Sequence, residues 1–442
     1  MAVKVGMVSL GCPKNQMDAE LMLAKLEAAG FEITAESGLA QVVIVNTCGF
    51  IADAKQESIE NILEFAQLKK EKQIRKIIVT GCLAQRYQQE LADEIPECDG
   101  VIGLGANDDI VDVVRRVMAD ETVRAFPSRD GWCLDGARLQ TTPHFFAYLR
   151  IADGCNNRCT YCAIPGIRGN LRSRTIENVV AEAEKLVADG VRELVLVAQD
   201  TTVYGQDLYG ESRLPQLLTE LCKIRELKWI RLLYCYPEHI TDDLLAVMAR
   251  EEKVLPYMDI PLQHAAGSVL KRMNRPGNRE SLTALIGRIR AAVPDITLRT
   301  TVMVGFPGET EADFEELCQF IQEARFQRLG CFAFSPEEDT PAYTLPDQLP
   351  DEVKYRRRDI VMEEQSRISD AYNQQMIDKT VTVLVESFDK YAECWFGRTM
   401  GDAPDIDGKV FFAATRRIQP GDFVQVTIVD TMDWDLIGEM TE

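Results

Sequence analysis

The chain carries three cysteines within eight positions, in Gly154-Cys155-Asn156-Asn157-Arg158-Cys159-Thr160-Tyr161-Cys162. Thiolate is the usual protein ligand of iron–sulfur clusters, and so compact a loop lets three sulfurs converge on three irons. Three ligands leave the fourth iron of such a cluster open, as a catalytic metal requires, whereas a closed site is structural or carries electrons. Zinc is the competing reading, with His144 as a fourth ligand eleven residues before Cys155. The doubled C-x2-C spacing usual for zinc is absent, which favours iron.

A second set is scattered in sequence but shares a placement. Cys12, Cys48 and Cys82 each close an apolar run, in Ser9-Leu10-Gly11-Cys12, Asn46-Thr47-Cys48 and Thr80-Gly81-Cys82. In an open parallel sheet the carboxyl ends of all strands lie along one edge, so three cysteines at three strand ends converge there. Gly11, Gly49 and Gly81 beside them permit tight turns and close backbone approach. This pattern predicts a second cluster with three protein ligands and another exchangeable iron. The alternative is three buried structural cysteines. Cys98, Cys133, Cys222, Cys235, Cys318, Cys331 and Cys394 share no placement and are read as structural.

The elements that must hold these residues follow from periodicity. Residues 5–10, 42–46 and 77–80 read as buried parallel strands, and 16–29 and 53–70 as amphipathic helices, giving an N-terminal parallel-sheet α/β domain over 1–125. An irregular stretch with Pro127, Gly131, Gly136 and Pro143 is read as a linker, 126–143. Six strand candidates follow, at 148–152, 194–198, 230–234, 258–262, 297–304 and 328–334, with helices between them such as 176–188 and 311–324. Six βα units are too few for a closed eight-stranded barrel and predict an open partial one over 144–374, ending in a charged helix at 351–376. The tail, 375–442, breaks into β segments at 381–386, 391–396, 409–412 and 423–430, spaced as in a small β-barrel.

Composition bounds the class. The 442 residues are 46% hydrophobic and 27% charged, a globular profile that implies two to four domains. The N-terminus runs straight into an apolar strand without a signal-peptide layout, and no apolar stretch is long enough to span a membrane, so a cytoplasmic location is expected. In a reducing cytosol thirteen cysteines form no disulfide framework, and three histidines build few metal sites. A net charge of −21 disfavours a phosphate backbone as partner unless a local basic patch exists.

Cys155-x3-Cys159-x2-Cys162 resembles the signature of the radical S-adenosylmethionine superfamily. That resemblance implies that the open iron chelates the amino and carboxylate groups of S-adenosylmethionine, and that an electron cleaves it to a deoxyadenosyl radical. With Cys12, Cys48, Cys82 and the β-rich tail, the whole chain resembles the methylthiotransferase family. Its members join an N-terminal cluster domain, a radical domain and a TRAM barrel. The implied chemistry uses two 4Fe–4S clusters and two S-adenosylmethionine molecules to insert a methylthio group into an unactivated C–H bond. The six cysteines are then both metal ligands and catalytic residues.

Three strings look like the RimO type: Ser9-Leu10-Gly11-Cys12-Pro13-Lys14-Asn15, Ala198-Gln199-Asp200-Thr201-Thr202 and Asp402-Ala403-Pro404-Asp405-Ile406-Asp407-Gly408. That branch modifies an aspartate β-carbon of small-subunit ribosomal protein S-twelve, on the ribosome. The branch that modifies tRNA typically has Gln-Asn-Val where this chain has Gln199-Asp200-Thr201. Charge argues the same way. From Met376 to the end thirteen acidic residues face six basic ones, a balance of −7, which suits a basic protein rather than tRNA. Asp402, Asp405 and Asp407 are expected on a protein-docking loop. A low-potential electron donor and a sulfur source complete the expected partners, with no membrane and no tRNA. The rivals are a tRNA methylthiotransferase and a non-catalytic iron–sulfur electron carrier or binding protein.

Strand-end polar groups face the catalytic mouth in such barrels. The resemblance therefore implies cofactor contacts from Gln199 and Asp200, Gln263, Gly305 and Glu309, and from Arg174 after the cysteine loop. Arg168, Arg172 and Arg174 are suited to a carboxylate of cofactor or substrate. His264 is read equally as a structural histidine, and Asp200 and Arg299 as residues that steer the substrate aspartate.

Overall fold

The protein is described by a computed structural model covering residues 2–441. It divides into two compact units. One joins the chain up to Thr141 with Ala152–Arg174 and Glu337–Thr340, and the other joins Thr142–Ile151, Thr175–Pro336 and the segment from Pro341 onward.

The first unit is built on a parallel sheet of β1 (Lys4–Ser9), β2 (Glu32–Thr34), β3 (Val42–Thr47), β4 (Lys76–Gly81), β5 (Gly100–Ile102) and β6 (Val123–Ala125), in the order β2-β1-β3-β4-β5-β6. All six residues of β3 are buried, because the Val-Val-Ile-Val run is covered on both faces. Side chains alternate between two cores. Val43, Val45, Ile77 and Val79 pack with Ile62 and Phe65 of α2 (Ala52–Lys70) and Leu83 and Leu91 of α3 (Cys82–Glu94). Val42, Ile44 and Ile78 pack with Met22 and Leu26 of α1 (Pro13–Ala28) and Ile110 and Val114 of α4 (Ile110–Met118). The three central strands are those expected from the sequence. The edge strands β2, β5 and β6 are too short, at three residues each, to show a periodic signal. Ala152–Arg174 adds a small hairpin, β8 (Ala152–Asp153) with β9 (Arg172–Ser173), and the one-turn helix α5 (Ile164–Arg168).

The second unit contains six parallel strands: β7 (Phe146–Arg150), β10 (Glu193–Val197), β11 (Trp229–Leu232), β12 (Val254–Gln263), β13 (Thr297–Val304) and β14 (Arg328–Ala333). They pair in sequence order, and β7 does not pair with β14, so the barrel is open. Helices cross over between successive strands, as right-handed parallel connections require. The tail forms a closed five-stranded barrel, β15 (Thr380–Asp389), β16 (Cys394–Arg398), β17 (Val410–Ala413), β18 (Phe423–Met432) and β19 (Asp435–Thr441).

The two barrels of this unit are joined through buried ion pairs. Glu193 of β10 accepts from Arg231 of β11 at 2.8 Å and from Arg398 of β16 at 2.7 Å. Asp402 accepts from Arg328 of β14 at 2.6 Å, and Asp407 from the Tyr257 hydroxyl of β12 at 2.6 Å. Asp402 and Asp407 are therefore not on a docking loop, contrary to the expectation above, because both carboxylates are spent on barrel cations and hydroxyls. Asp405 between them is exposed. Among the described residues no helix is long and apolar enough to cross a membrane.

Candidate functional site

Cys12, Cys48 and Cys82 follow the carboxyl ends of β1, β3 and β4, which run level: Ser9 pairs with Asn46, Asn46 with Thr80, and Thr47 with Gly81. Cys12 is the N-cap of α1, with Pro13 opening the helix, and Cys82 is the first residue of α3. Gly11 has φ +89°, and a Cβ there would lie 2.8 Å from Cys48 Sγ, so the Cys12 turn rests directly on Cys48. Gly81 has φ +96°, and a Cβ there would lie 2.5 Å from Thr47 N. Both turns exist only because these residues lack a side chain.

Polar residues of the same strings knit the three turns together. Asn15 Nδ2 donates to Leu10 O at 2.8 Å and to Asn46 O and Thr47 O at 3.2 Å. Asn46 Nδ2 donates to Asn15 O at 2.7 Å, Thr47 Oγ1 to Thr80 O at 2.5 Å, and Thr80 Oγ1 to Asn107 Oδ1 at 2.6 Å. Ser58 Oγ accepts from Cys48 N and donates back to Cys48 O. Such a connected buried network fixes geometry as well as stability.

The three thiols feel one another. Burial pushes Cys82 up to about 12; the Arg168 charge opposes this, while Cys12 and Cys48 add to it. Burial likewise raises Cys48. For Cys48 and Cys82 burial thus favours the thiol, and metal ligation would release the proton. Among the described residues no group of three or more His, Cys, Asp or Glu side chains is already closed around a single-ion site. Three soft sulfur donors at one sheet edge, with a buried cation beside them, suit an iron–sulfur cluster.

Cys155, Cys159 and Cys162 lie in the loop that β8 and β9 close. Cys155 N donates to Gly169 O at 3.0 Å, Leu171 N to Asn156 Oδ1 at 3.1 Å, and Cys162 N to Cys159 O at 3.1 Å. Cys159 is buried, and Cys155 and Cys162 are half-buried. The loop belongs to the first compact unit, because Ala163 and Ile167 pack on Cys82, Leu104 and Trp132. Both cysteine triplets are thus in one unit, a juxtaposition that strand patterns alone do not show.

Arg168 is not available to a substrate or cofactor carboxylate, contrary to expectation. It is fully buried and donates to Asp18 at 2.7 Å and to Asp153 at 3.3 Å. Burial disfavours its charge, but Asp18, Cys82 and Asp153 outweigh this and hold it charged. Arg174 pairs with Asp135, and Arg172 donates to Trp132 O at 2.9 Å. Asp18 and Asp153 were missed in the sequence. Their signal is an acid within the buried face of α1 and another immediately before Gly154-Cys155.

Of the strand-end residues, Gln199 and Gln263 are half-buried after β10 and at the end of β12. Asp200 is buried, caps Thr202 N at 3.0 Å and meets His239 Nδ1 at 3.0 Å, a bond that raises the His239 pKa. Glu309 accepts from Arg357 at 2.8 Å and Phe306 N at 3.0 Å, with burial pushing it up to about 7. Gly305 lies under Lys354, whose Cβ would be 2.8 Å from a Cβ added there. His264 is fully buried, which drives its pKa down to about 3, and its Nδ1 accepts from Ala266 N at 3.0 Å. Arg299 pairs with Asp259 at 3.0 Å.

An open six-stranded parallel barrel whose first strand runs into a C-x3-C-x2-C loop defines a radical S-adenosylmethionine enzyme, which uses an iron–sulfur cluster and S-adenosylmethionine. Residues 149–321 match the Radical SAM superfamily, 4–103 the Uncharacterized protein family UPF0004 and 377–441 the TRAM domain. The fold is similar to radical S-adenosylmethionine methyltransferase TsrM from Kitasatospora setae, with a TM-score of 0.59 at 15% identity over 77% of each chain. The chain is 50% identical to the ribosomal protein uS12 methylthiotransferase RimO of Pelotomaculum thermopropionicum over 99% of both. It is 47% identical to that of Geobacter sulfurreducens over 99% of this chain and 98% of the relative. The chain belongs to the RimO family of radical S-adenosylmethionine methylthiotransferases.

Proposed function

We propose that this protein adds a methylthio group to the β-carbon of an aspartate in ribosomal protein uS12, the S-twelve protein of the small subunit. Full-length similarity to RimO relatives supports the substrate. The two cysteine triplets within one compact unit carry the chemistry. In this reading Cys155, Cys159 and Cys162 hold one 4Fe–4S cluster, and Cys12, Cys48 and Cys82 hold a second, each leaving one iron without a protein ligand. When bound, the clusters and S-adenosylmethionine supply the electron, the hydrogen-abstracting radical, the sulfur and the methyl group.

The chain's own residues position and shield these groups. Gly11, Gly81 and the Asn15–Asn46 network hold the first triplet level at the sheet edge, and the β8–β9 hairpin closes the loop of the second. Gln199, Asp200, Gln263, Gly305 and Glu309 border the strand ends where S-adenosylmethionine would lie. Of these, Gln199 and Gln263 are assigned direct polar contacts, while Asp200 and Glu309 set the shape through His239 and Arg357. Arg174, assigned to the cofactor by the resemblance, is held by Asp135 within the unit that carries both cysteine triplets. The tail barrel keeps an acidic exterior, with Asp378, Glu393, Asp405, Asp430, Asp433 and Glu439 exposed, which favours a basic protein partner in the cytoplasm. An electron donor and a sulfur source act from outside the chain.

The test is anaerobic reconstitution with iron, sulfide, reductant and S-adenosylmethionine, followed by mass spectrometry of ribosomes and of tRNA. A methylthio mass increase on an aspartate peptide of uS12 is expected. The same increase on tRNA alone would replace this reading with the tRNA-modifying one, and no S-adenosylmethionine cleavage would leave an electron carrier.

A further inference from the structure

We infer that Arg168 is a positioning residue for the N-terminal cluster: its guanidinium, anchored by two carboxylates, donates a hydrogen bond to the Cys82 sulfur and raises that cluster's reduction potential. The inference rests on the reading that Cys12, Cys48 and Cys82 hold a cluster.

Arg168 Nη2 lies 3.5 Å from Cys82 Sγ, 2.7 Å from Asp18 Oδ2 and 3.4 Å from Asn15 Oδ1. Nη1 lies 3.3 Å from both oxygens of Asp153. A guanidinium presents its N–H groups in a rigid plane, so carboxylates gripping it on two sides also fix the direction in which the remaining N–H points. Trp132 covers the guanidinium, with its ring 5.5 Å from the central carbon. Arg168 is 1% exposed and Cys82 5%, so neither the charge nor the bond is screened by water.

One-electron reduction makes a thiolate-ligated cluster more negative. A cation and an N–H donor at a ligating sulfur stabilise that added charge, which is one of the ways proteins set cluster potentials. The electron goes to the irons, and the proton stays on Nη2. Arg168 also ends α5, which begins two residues after Cys162. The loop that carries one cysteine triplet therefore delivers the hydrogen-bond donor to the other.

The test uses the full chain with Cys155, Cys159 and Cys162 replaced by Ala, reconstituted anaerobically with iron and sulfide so that only the N-terminal cluster remains. Its potential is titrated with dithionite and mediator dyes while the reduced cluster is followed by electron paramagnetic resonance. Arg168→Gln should move the midpoint to more negative potential, and Arg168→Lys, which keeps the charge but loses the fork, should move it less in the same direction. An unchanged midpoint in either variant that retains its iron overturns the inference. The parent protein labelled with 15N-arginine gives a measurement independent of whether the variants fold. Electron spin-echo modulation should show arginine nitrogen coupled to the reduced cluster, and no coupling overturns the inference as well. A parent protein that binds no iron overturns the cluster assignment itself, and the inference falls with it.

Discussion

At Gly81 the position of the neighbouring Cys82 sulfur depends on the absence of one methyl group. A Cβ there would press on Thr47 at 2.5 Å from its nitrogen, and φ +96° is strained for any other L-residue. Gly81→Ala should shift the Cys82 turn and, if the chain holds two clusters as proposed, remove roughly half of the bound iron. Iron and sulfide assay of the reconstituted protein checks this, and full iron content would contradict it. In the proposed function the cysteines divide by role. Cys155→Ala should abolish deoxyadenosine formation, whereas Cys12→Ala should spare it and block methylthio transfer, as product analysis under reducing conditions would show. Equal loss of both activities in Cys12→Ala would count against separate roles. The cysteine positions were legible because thiol chemistry is carried by residue type and spacing. The role of Arg168 was not, because its partners Asp18 and Cys82 lie 150 and 86 positions away in sequence.

The elements of the second unit are fastened by charge as well as by apolar packing. Glu193, Arg231 and Arg398 are each at most 1% exposed, and the two arginines share the one carboxylate. Burial raises the Glu193 pKa, but Arg398 and Arg231 more than offset it and hold the carboxyl below its usual 4.5. Removing one partner of a buried ionic network typically costs about 3–5 kcal/mol, because the remaining charges are left uncompensated. Glu193→Ala should therefore lower the thermal midpoint clearly under neutral conditions, by calorimetry or fluorescence. The sign with pH follows from the depressed native pKa. Stabilisation from Glu193 is fully present above the unfolded value and is lost as pH falls through the native one. The gap between wild type and variant should accordingly narrow in acid below about pH 4.5. A gap that widened there would refute this assignment. Strand and helix positions in this unit were readable from Val- and Ile-rich runs and amphipathic helices, and helices Ile176–Ala188 and Glu311–Ala324 match the sequence expectation. The last strand, Asp435–Thr441, was not, because its alternation is short and begins in a turn.

For the molecule as a whole, chain order and compactness part company. Residues 1–125 read as a domain in sequence, yet the unit containing them also takes in Ala152–Arg174 and Glu337–Thr340. Glu337 is held there by Lys55 at 2.8 Å and Arg86 at 3.0 Å. A fragment of residues 1–125 would lack Trp132, Ala163 and Ile167, which cover Cys82, and would leave Asp18 without Arg168. Such a fragment should fail to retain iron after desalting, whereas the full chain with its radical-loop cysteines replaced should keep it. A stable cluster on the isolated fragment would show that Ala152–Arg174 is dispensable to the site.

The sequence by itself determined where the clustered thiols fall and which strands carry them, because residue type, loop spacing and hydrophobic periodicity are local properties of the chain. It also determined the class of reaction, through the two cysteine triplets and the six-strand pattern between linker and tail. Only the tertiary structure decided that both triplets share one unit, that Arg168 serves Cys82 rather than a bound carboxylate, and that Asp402 and Asp407 bind barrel residues instead of a partner. Those outcomes depend on burial and on charges meeting across long stretches of chain. A charged side chain looks the same in sequence whether folding leaves it in water or encloses it with its counter-ion.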